Sequence, residues 1–407
     1  MNREDLQQDA IRLIRRNPRV ALLWATGLGK SRVAIEMANY LQSRKKEREL
    51  KVLLVVAETA HKSNWEVELA KWKFKSNNIN IECYASLAKY RNTYWDLIIF
   101  DEAHHLGTDL KMDILSSMPV DNVILLSATL PESVIQALTR IFGEFLVSKI
   151  PLKKALEWKM LPEPKVYLIP LSLNKEHYTC TIVEEWGKKE DRVTYECLFQ
   201  DRWMYLRNKN KYPNATLVIH CSEQQKYDYL SNQFEYWKNL FLLRRQEFIK
   251  NKWLQTGSKR KRFLGELKTD AVRSLLCKVS NKRLICFCTS IEQAEQLGGQ
   301  NAIHSKRVDS LQIIEDFNRK RMNNLFAVGM LQEGQNLTDI EVGIIVQLDG
   351  QERAFIQKFG RSLRAEDPIQ FIFYYENTRD TEYLRNVLEG VNKKYITKIY
   401  KLEDLEL

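Results

Sequence analysis

Short runs of apolar residues recur along the chain and are separated by polar or glycine-bearing stretches. In the first part of the chain, five such runs alternate with stretches of helical periodicity: Val20–Trp24, Val52–Val56, Ile79–Tyr84, Leu97–Phe100 and Val123–Leu126. Continuous apolar runs of this length are typical of strands buried on both faces, and their alternation with helices predicts a parallel sheet. We therefore expect an α/β domain over residues 1–150.

A second series of apolar runs follows the same pattern later in the chain: Val166–Leu171, Arg283–Cys288, Leu325–Val328, Gly343–Leu348 and Gln370–Tyr375. These runs predict a second α/β domain, formed by residues 165–185 and 267–400. Residues 151–164 contain three prolines and lack regular apolar spacing, so we interpret them as a linker.

Residues 186–266 interrupt the second domain and have a different composition. They hold about 17 Lys and Arg against about 9 Asp and Glu, together with many aromatic residues and a long helical pattern over Glu223–Trp253. We predict a mainly helical, basic insertion. Its densest positive run is Lys259-Arg260-Lys261-Arg262.

The overall composition narrows the classes of protein. The 407 residues carry a formal net charge of +11, which favours polyanionic partners such as nucleic acid. No apolar run approaches the roughly 20 residues that span a bilayer, and the first residues are polar, so we expect a cytosolic or nuclear protein with no membrane partner. The seven cysteines lack the spacing of zinc ligands, and we expect Cys286 and Cys288 to point to opposite faces of a strand as free thiols.

A glycine-rich loop follows the first apolar run and leads into a helical pattern. It reads Ala25-Thr26-Gly27-Leu28-Gly29-Lys30-Ser31. Glycines let the backbone bend around phosphate oxygens, Lys30 can neutralise phosphate charge, and the Ser31 hydroxyl can bind Mg²⁺. The alternative is an ordinary strand-to-helix turn with an exposed lysine.

Two adjacent carboxylates, Asp101 and Glu102, end a run that is predicted to be a buried strand. Such a position is unfavourable for carboxylates unless they have partners. A Mg²⁺ ion carried by ATP would supply one, with Asp101 holding the ion and Glu102 activating the attacking water. The alternative is an acidic pair at a helix N-terminus, where carboxylates are also favoured.

These segments resemble the conserved motifs of superfamily 2 helicases. The glycine-rich loop resembles motif I, also called Walker A, Asp101-Glu-Ala-His resembles the DEAH box of motif II, and Ser127-Ala-Thr resembles motif III. Further along, Glu333-Gly-Gln-Asn-Leu resembles motif V, and Gln357-Lys-Phe-Gly-Arg-Ser-Leu-Arg resembles motif VI, QxxGRxxR. The resemblance implies two RecA-like domains in tandem and nucleic-acid-dependent ATP hydrolysis.

The resemblance also assigns roles to individual residues. Gln7 would read the adenine of ATP, although a solvated glutamine is the alternative. Gln357, Arg361 and Arg364 would complete the catalytic site from the second domain, with both arginines reaching the γ-phosphate. Gly334 and Asn336 would contact the nucleotide, although the family usually has Asp at the position of Asn336.

Ser127 and Thr129 would link the state of the nucleotide to domain closure, or would serve only as turn hydroxyls. Backbone contacts to nucleic acid need hydrogen-bond donors and positive charge. Candidates are Thr59, Ser86 and Ser290, each of which could equally be a cap or turn residue, and the basic residues Lys259, Arg260, Lys261 and Arg262.

Among the branches of the family, the chain looks most like the helicase subunits of type III restriction enzymes. His104 in motif II and Gln357 at the start of motif VI favour a DNA helicase or translocase over an RNA helicase. An ATP-gated clamp that does not move along nucleic acid is a third reading. A nuclease or a replication or repair protein could be a partner, and the sequence leaves the oligomeric state open.

Overall fold

The computed structural model describes residues 3–329, 337, 339–348, 367–388 and 391–405. A six-stranded parallel sheet organises the first part of the chain, in the order β3-β2-β4-β5-β1-β6. Its strands are β1 (Arg19–Trp24), β2 (Val52–Val56), β3 (Ile79–Cys83), β4 (Trp95–Asp101), β5 (Val120–Ser127) and β6 (Leu146–Ile150). Helices α1 to α5 accompany it, at Arg3–Leu13, Lys30–Arg44, Thr59–Lys71, Asp109–Ser116 and Glu132–Phe142.

The five predicted strands of this sheet are present. The apolar runs of the inner strands β1, β2, β4 and β5 are buried, whereas Ile79 and Ile81 of the edge strand β3 are half-buried. The sixth strand, β6, was not predicted. It lies at the sheet edge, where Val147 and Lys149 are exposed and the apolar run is broken. An edge strand has less apolar surface to bury and therefore carries a weaker hydrophobic signal.

A seven-stranded parallel sheet organises the second domain, in the order β12-β13-β11-β14-β15-β7-β16. Its strands are β7 (Lys165–Leu171), β11 (Leu284–Phe287), β12 (Ala302–Ile303), β13 (Asn324–Ala327), β14 (Val342–Ile345), β15 (Ile369–Tyr375) and β16 (Ile396–Lys398). Helices α10 to α13 accompany it, at Thr269–Lys278, Ile291–Gly298, Ser310–Asn318 and Arg379–Leu388. The fold class is thus the predicted one, two RecA-like α/β domains in tandem.

The segment between the two sheets is more ordered than its prolines suggested. It forms helix α6 (Leu152–Glu157), whose Leu152 and Leu156 are buried in a hydrophobic cluster that contains residues of both large sheets. After this helix, Leu161 packs on the glycine-rich loop. Its Cδ2 atom lies so close to Gly27 that a Cβ atom on Gly27 would be only 3.2 Å away. The predicted linker therefore forms part of the surroundings of that loop.

The insertion contains a sheet of its own in addition to helices. Strands β8 (Cys180–Trp186), β9 (Val193–Leu198) and β10 (Ala215–Cys221) form this sheet, with β10 in the centre. Helix α7 (Arg202–Arg207) follows β9, and a hairpin of helices α8 (Glu223–Arg244) and α9 (Glu247–Leu267) completes the insertion. Among the described residues, strand β8 pairs with β10 of this sheet. Residues 180–185, which we had predicted to belong to the second domain, therefore lie in the sheet of the insertion.

The end of the insertion is anchored in the second domain by a buried lysine. Lys268 connects α9 to α10, and its side chain is fully buried. Its Nζ donates to Asp380 Oδ2 at 2.6 Å, to Gln347 Oε1 at 2.7 Å and to the carbonyl oxygen of Phe373 at 3.2 Å. Burial lowers the pKa of Lys268, and Asp380 opposes this shift. The ion pair joins the insertion to α13, and the two other hydrogen bonds join it to the ends of β14 and β15.

Cys286 and Cys288 do not point to opposite faces, so that expectation was wrong. Their sulfur atoms lie 3.9 Å apart, since side chains two residues apart along an extended chain share a face. Both are free thiols, as expected, and Cys286 is buried. In the described part of the chain, no helix has the length and apolar character needed to cross a membrane.

A buried carboxylate joins the amino-terminal edge of the first sheet to its surroundings. Asp96 on β4 has a fully buried side chain and accepts hydrogen bonds from Arg48, Lys45 and the backbone N–H of Lys51. Burial by itself would raise the pKa of Asp96, but the hydrogen bonds from Arg48 and Lys45 outweigh it and hold that pKa well below the ordinary value. Asp96 is therefore ionised in the folded protein.

We predict that Asp96→Asn lowers the free energy of unfolding by about 1.5 to 3 kcal/mol at pH 7, the range for hydrogen bonds to a charged group. Because folding lowers this pKa, the stabilisation is present above the ordinary carboxyl pKa near ~4 and is lost as the pH falls below it. Urea unfolding from pH 7 to pH 3 measures the effect. Asp113→Asn, which removes an exposed pair with Arg91, is the control and should change stability by less than about 1 kcal/mol. Equal losses in both variants would contradict the prediction.

Candidate nucleotide-binding and hydrolysis site

Three predicted motifs come together at one edge of the first sheet. Strands β4, β5 and β1 are neighbours and run parallel, so their carboxyl ends meet at the same edge. The glycine-rich loop follows β1, Asp101 ends β4 and Ser127 ends β5. Ligands of open α/β sheets bind at this edge, beyond the carboxyl ends of the strands.

The loop after β1 has the backbone conformation of a phosphate cradle. Gly27 and Gly29 have positive φ angles of 93° and 85°, which side-chain-bearing residues rarely adopt. Gly29 is the N-cap of α2, and the helix begins at Lys30, so Lys30 and Ser31 stand at its first turn. The free N–H groups and the dipole of a helix N-terminus attract anions.

Lys30 turns back over the loop that precedes it. Its Nζ donates a hydrogen bond of 2.9 Å to the carbonyl oxygen of Trp24, the last residue of β1. Burial lowers the pKa of Lys30, whereas Glu102 and Asp101 raise it. The ammonium group and the two carboxylates are therefore close enough to interact.

Gln7 on helix α1 lies against the glycine-rich loop and is only 2% exposed. Its Nε2 donates to the carbonyl oxygen of Leu28 at 2.9 Å, and a Cβ built on Gly29 would lie 2.5 Å from the same Nε2 atom. Its Oε1 atom is buried and has no hydrogen-bond partner among the described residues. The alternative of a solvated glutamine does not hold. The unpaired acceptor suits an N–H donor of a ligand, such as the amino group of adenine.

Asp101 is held by two residues that the sequence analysis did not single out. Its Oδ2 accepts a hydrogen bond of 2.7 Å from the indole N–H of Trp65 on α3, and its backbone oxygen accepts one of 2.8 Å from the hydroxyl of Tyr84. Burial and then the neighbouring Glu102 raise the pKa of Asp101, and the bond from Trp65 opposes them. The sequence predicts at most that Trp65 lies on the buried face of helix α3. It does not predict that Trp65 contacts Asp101.

Glu102 begins a chain of polar contacts that leads to motif III. Its backbone is left-handed, with φ of 48°, and its Oε2 lies 3.3 Å from Nδ1 of His104. The same ring nitrogen lies 3.3 Å from Oγ of Ser127, which donates to the carbonyl oxygen of Thr129 at 2.6 Å. Ser127 is fully buried, so a change at Glu102 can reach the loop after β5 through direct contacts.

The three hydroxyl residues predicted to contact nucleic acid have different surroundings. Thr59 is exposed at the first position of α3, with Oγ1 3.8 Å from Sγ of Cys83. Ser86 is half-buried in the 3₁₀ segment Tyr84–Tyr90. Ser290 is buried and caps α11 by accepting a hydrogen bond from the N–H of Gln293, the alternative that the sequence left open.

The four residues of the basic run on α9 differ in exposure and in their partners. Arg260 is only 5% exposed and lies over the ring of Phe234, with 4.3 Å from its guanidinium carbon to the ring centre. Arg262 is exposed but ion-paired with Glu266 and Glu292. Lys259 is exposed and Lys261 half-buried. The predicted residues Gly334, Asn336, Gln357, Arg361 and Arg364 lie outside the described residues.

The residues of this edge fit ATP and a divalent cation. A Cβ at Gly27 or Gly29 would crowd Leu161 or Gln7, and the buried Oε1 of Gln7 has no donor among the described residues. Asp101 offers a carboxylate and Ser31 a hydroxyl, which are the oxygen ligands that Mg²⁺ prefers. The fold and the site thus define a P-loop ATPase built on two RecA-like domains.

Comparison with known proteins identifies the family. Residues 1–91 match the model of the type III restriction enzyme res subunit, and residues 267–366, which include the segments resembling motifs V and VI, match the helicase conserved C-terminal domain. The chain belongs to the superfamily 2 helicases and is a nucleic-acid-dependent ATPase. A search of curated proteins found no significant match.

Solved structures share the fold at low sequence identity. The structure of Saccharomyces cerevisiae Dbp5 bound to RNA and ADP BeF3 aligns with a TM-score of 0.59 and 13% identity, over 97% of this chain and 89% of that one. The helicase domain of Pyrococcus furiosus Hef aligns with a TM-score of 0.49 and 13% identity, over 94% and 96% of the two chains. The former likeness concerns the fold alone, and the latter is too low to support an argument.

We predict that Gly29→Ala weakens ATP binding at least about tenfold, a loss of about 1.4 kcal/mol. The added Cβ would lie 2.5 Å from Gln7 Nε2, and alanine at a positive φ costs about 1 to 2 kcal/mol. Gly143→Ala is the matched control, since Gly143 has φ of 92° with no atom within 4 Å of its Cβ position. Calorimetric titration with ATP measures the loss of affinity, and thermal unfolding measures the loss of stability. Gly143→Ala should lower only the melting temperature, and unchanged ATP affinity in Gly29→Ala would refute the assigned role of the loop.

Proposed function

We propose that the protein is an ATP-dependent DNA helicase or translocase, which couples ATP hydrolysis to movement along DNA or to its unwinding. The observation that carries this proposal is the chain of contacts from Glu102 through His104 to Ser127. It joins the proposed hydrolytic carboxylate to the segment resembling motif III. A motor needs such a connection, since hydrolysis must change the conformation of another part of the molecule.

In the proposed reaction, the residues of the first domain bind and orient ATP. The backbone of residues 26–31 surrounds the phosphates, Gln7 Oε1 accepts from the adenine amino group, and Lys30 leaves the Trp24 carbonyl for the phosphate oxygens. Bound Mg²⁺, held through Ser31 and Asp101, supplies charge neutralisation at the phosphates. Glu102 orients the attacking water and accepts its proton.

Residues of the second domain complete the proposed site. Arg361 and Arg364 stabilise charge on the γ-phosphate, Gln357 is a further catalytic residue, and Gly334 and Asn336 contact the nucleotide. An arginine supplied in this way accelerates phosphoryl transfer by about 10³ to 10⁵. Because these residues belong to the other domain, hydrolysis would require the domains to close, and Thr129 and Ser127 would transmit the closure.

The sequence supports DNA as the nucleic acid along which the protein moves. The resemblance of motif II with His104 and of motif VI with Gln357 is to DNA translocases of the restriction type, and the match of residues 1–91 to a restriction-enzyme subunit favours the same branch. RNA is the second candidate, since the yeast structure with a similar fold is bound to RNA. A non-translocating clamp is a further alternative. A nuclease or a repair protein would be a fitting partner.

The insertion is a candidate for additional backbone contacts. Within the described residues, Lys259 and Lys261 are neither ion-paired, as Arg262 is, nor buried against a ring, as Arg260 is. Trp253 packs on Phe241, with ring centres 5.6 Å apart, and thereby stabilises the α8–α9 hairpin. We therefore assign the nucleic-acid contact to the lysines rather than to stacking on Trp253. Thr59 and Ser86 are the proposed nucleic-acid contacts on the first domain.

We predict that single-stranded or duplex DNA stimulates ATP hydrolysis by the purified protein, and that RNA does so less. Steady-state phosphate release measured alone and with each nucleic acid tests the proposal. Glu102→Gln should abolish turnover while keeping ATP binding, and Glu144→Gln, an exposed carboxylate of the same domain, should leave turnover unchanged. Stimulation by RNA alone would favour the second candidate. Hydrolysis without any response to nucleic acid, or normal turnover in Glu102→Gln, would overturn the proposed mechanism.

We predict that replacing Lys259 and Lys261 by Gln reduces the dependence of DNA affinity on salt, because each phosphate contact contributes about 0.7 to 0.9 to the slope of log K against log salt. Fluorescence anisotropy with a labelled oligonucleotide at several KCl concentrations measures the slope. Lys46→Gln with Lys75→Gln removes the same charge from exposed positions of the first domain and is the control. If both double variants change the slope equally, the effect belongs to net charge and not to the insertion.

A further inference from the structure

Helix α3 presents two polar side chains to the interior beside Asp101. His61 and Trp65 are four residues apart and share one face of the helix, and they are 1% and 4% exposed. Neither residue belongs to the motifs from which the site was assigned. Both therefore need a reason to be polar in a position that an aliphatic side chain could fill.

The hydrogen bond from Trp65 constrains the orientation of the Asp101 carboxylate. The indole N–H donates to Oδ2 at 2.7 Å, while Oδ1 accepts from the N–H of Glu102 at 3.1 Å. One donor on each oxygen fixes the plane of the carboxylate. Residues that orient a metal ligand in this way usually change metal affinity or activity by about 10-fold to 100-fold when they are replaced.

The indole bond is not simply a requirement for burying a tryptophan in this domain. Trp95 on β4 is 1% exposed, and its Nε1 has no hydrogen-bond partner in the described part of the chain. The domain thus accommodates one buried indole without a partner. The bond at Trp65 is therefore better explained by what it does to Asp101.

His61 carries a different signal. Both of its ring nitrogens are buried and lack a partner among the described residues. Leaving a buried polar group unpaired costs about 1 to 3 kcal/mol, which an aliphatic residue would avoid. His61 lies one helical turn before Trp65 on the same face of α3, and Trp65 contacts Asp101, so the ring lies on the side of the helix that faces this carboxylate. Hydrated metal ions offer both hydrogen-bond donors and charge to such a group, since Mg²⁺ usually keeps several waters.

We propose that Trp65 and His61 are positioning residues for the metal ion of the ATPase: Trp65 orients the carboxylate of Asp101, and His61 contacts the water shell of the ion. The proposal rests on the assignment of Asp101 as the metal-binding carboxylate in the proposed function. It deepens that function, because the same helix begins at Thr59, one of the proposed nucleic-acid contacts. Helix α3 then connects the metal site to the proposed nucleic-acid contact at Thr59.

The test measures how strongly Mg²⁺ enhances nucleotide binding, independently of turnover. The affinity of a fluorescent non-hydrolysable ATP analogue is measured by anisotropy in EDTA and in saturating Mg²⁺, and the ratio of the two values reports the coupling. Trp65→Phe keeps the ring and removes the N–H. We expect it to reduce the ratio about tenfold without changing the affinity in EDTA. Trp95→Phe, which loses no hydrogen bond, is the matched control and should keep the wild-type ratio.

His61→Leu provides an independent variant whose two readouts move in opposite directions. It should raise the melting temperature of the nucleotide-free protein, because an unpaired buried polar group is removed, and should lower the Mg²⁺ ratio. A raised melting temperature with the wild-type ratio would show that His61 has no part in the metal site. A ratio in Trp65→Phe equal to that in Trp95→Phe would overturn the role of Trp65. Absence of any Mg²⁺ enhancement in the wild type would instead overturn the assignment of Asp101, and the proposal with it.

Discussion

The burial of a carboxylate at the end of β4 is the constraint on which the nucleotide site depends. Burial and the adjacent Glu102 both disfavour the ionised form of Asp101 and raise its pKa. The site compensates with Lys30 and with the indole N–H of Trp65. A bound cation would compensate further, since paired charges tolerate burial far better than isolated ones. The apo site is therefore electrostatically suited to the ligand that it is proposed to bind.

Parallel strands make this arrangement possible. The loops after β1, β4 and β5 are far apart in the sequence but meet at one sheet edge because the three strands are adjacent. The first two supply groups for phosphate and metal, and the third supplies Ser127 for the contact to His104. A single edge thus holds the proposed chemistry together with the first step of its transmission. Helix α1, which precedes the glycine-rich loop in the sequence, adds Gln7 to the site. Helix α3, which follows that loop, adds Trp65.

The insertion is attached to the second domain through its buried end. Lys268 stands where α9 gives way to α10 and is bonded to Asp380, Gln347 and the backbone of β15. Removing one partner of such a pair leaves an uncompensated buried charge, which is strongly unfavourable. The hairpin of α8 and α9 therefore has a rigid base, and movement of the second domain would carry Lys259 and Lys261 with it.

The sequence by itself determined the inner strands of both large sheets, the order of the motifs and the family, because buried parallel strands leave continuous apolar runs and phosphate loops need glycines and a lysine at fixed spacing. It missed β6 and the sheet of the insertion, whose edge strands alternate or carry exposed apolar residues, and it missed β12 and β16, which are only two and three residues long. It could not separate Lys259 from Arg260, or recognise Ser290 as a buried cap, because both outcomes depend on neighbouring elements. Only the tertiary structure brought Trp65 to Asp101 and left Gln7 and His61 with buried atoms that have no partner in the part of the chain the structure describes, since a contact between residues on different elements has no local signal in the sequence.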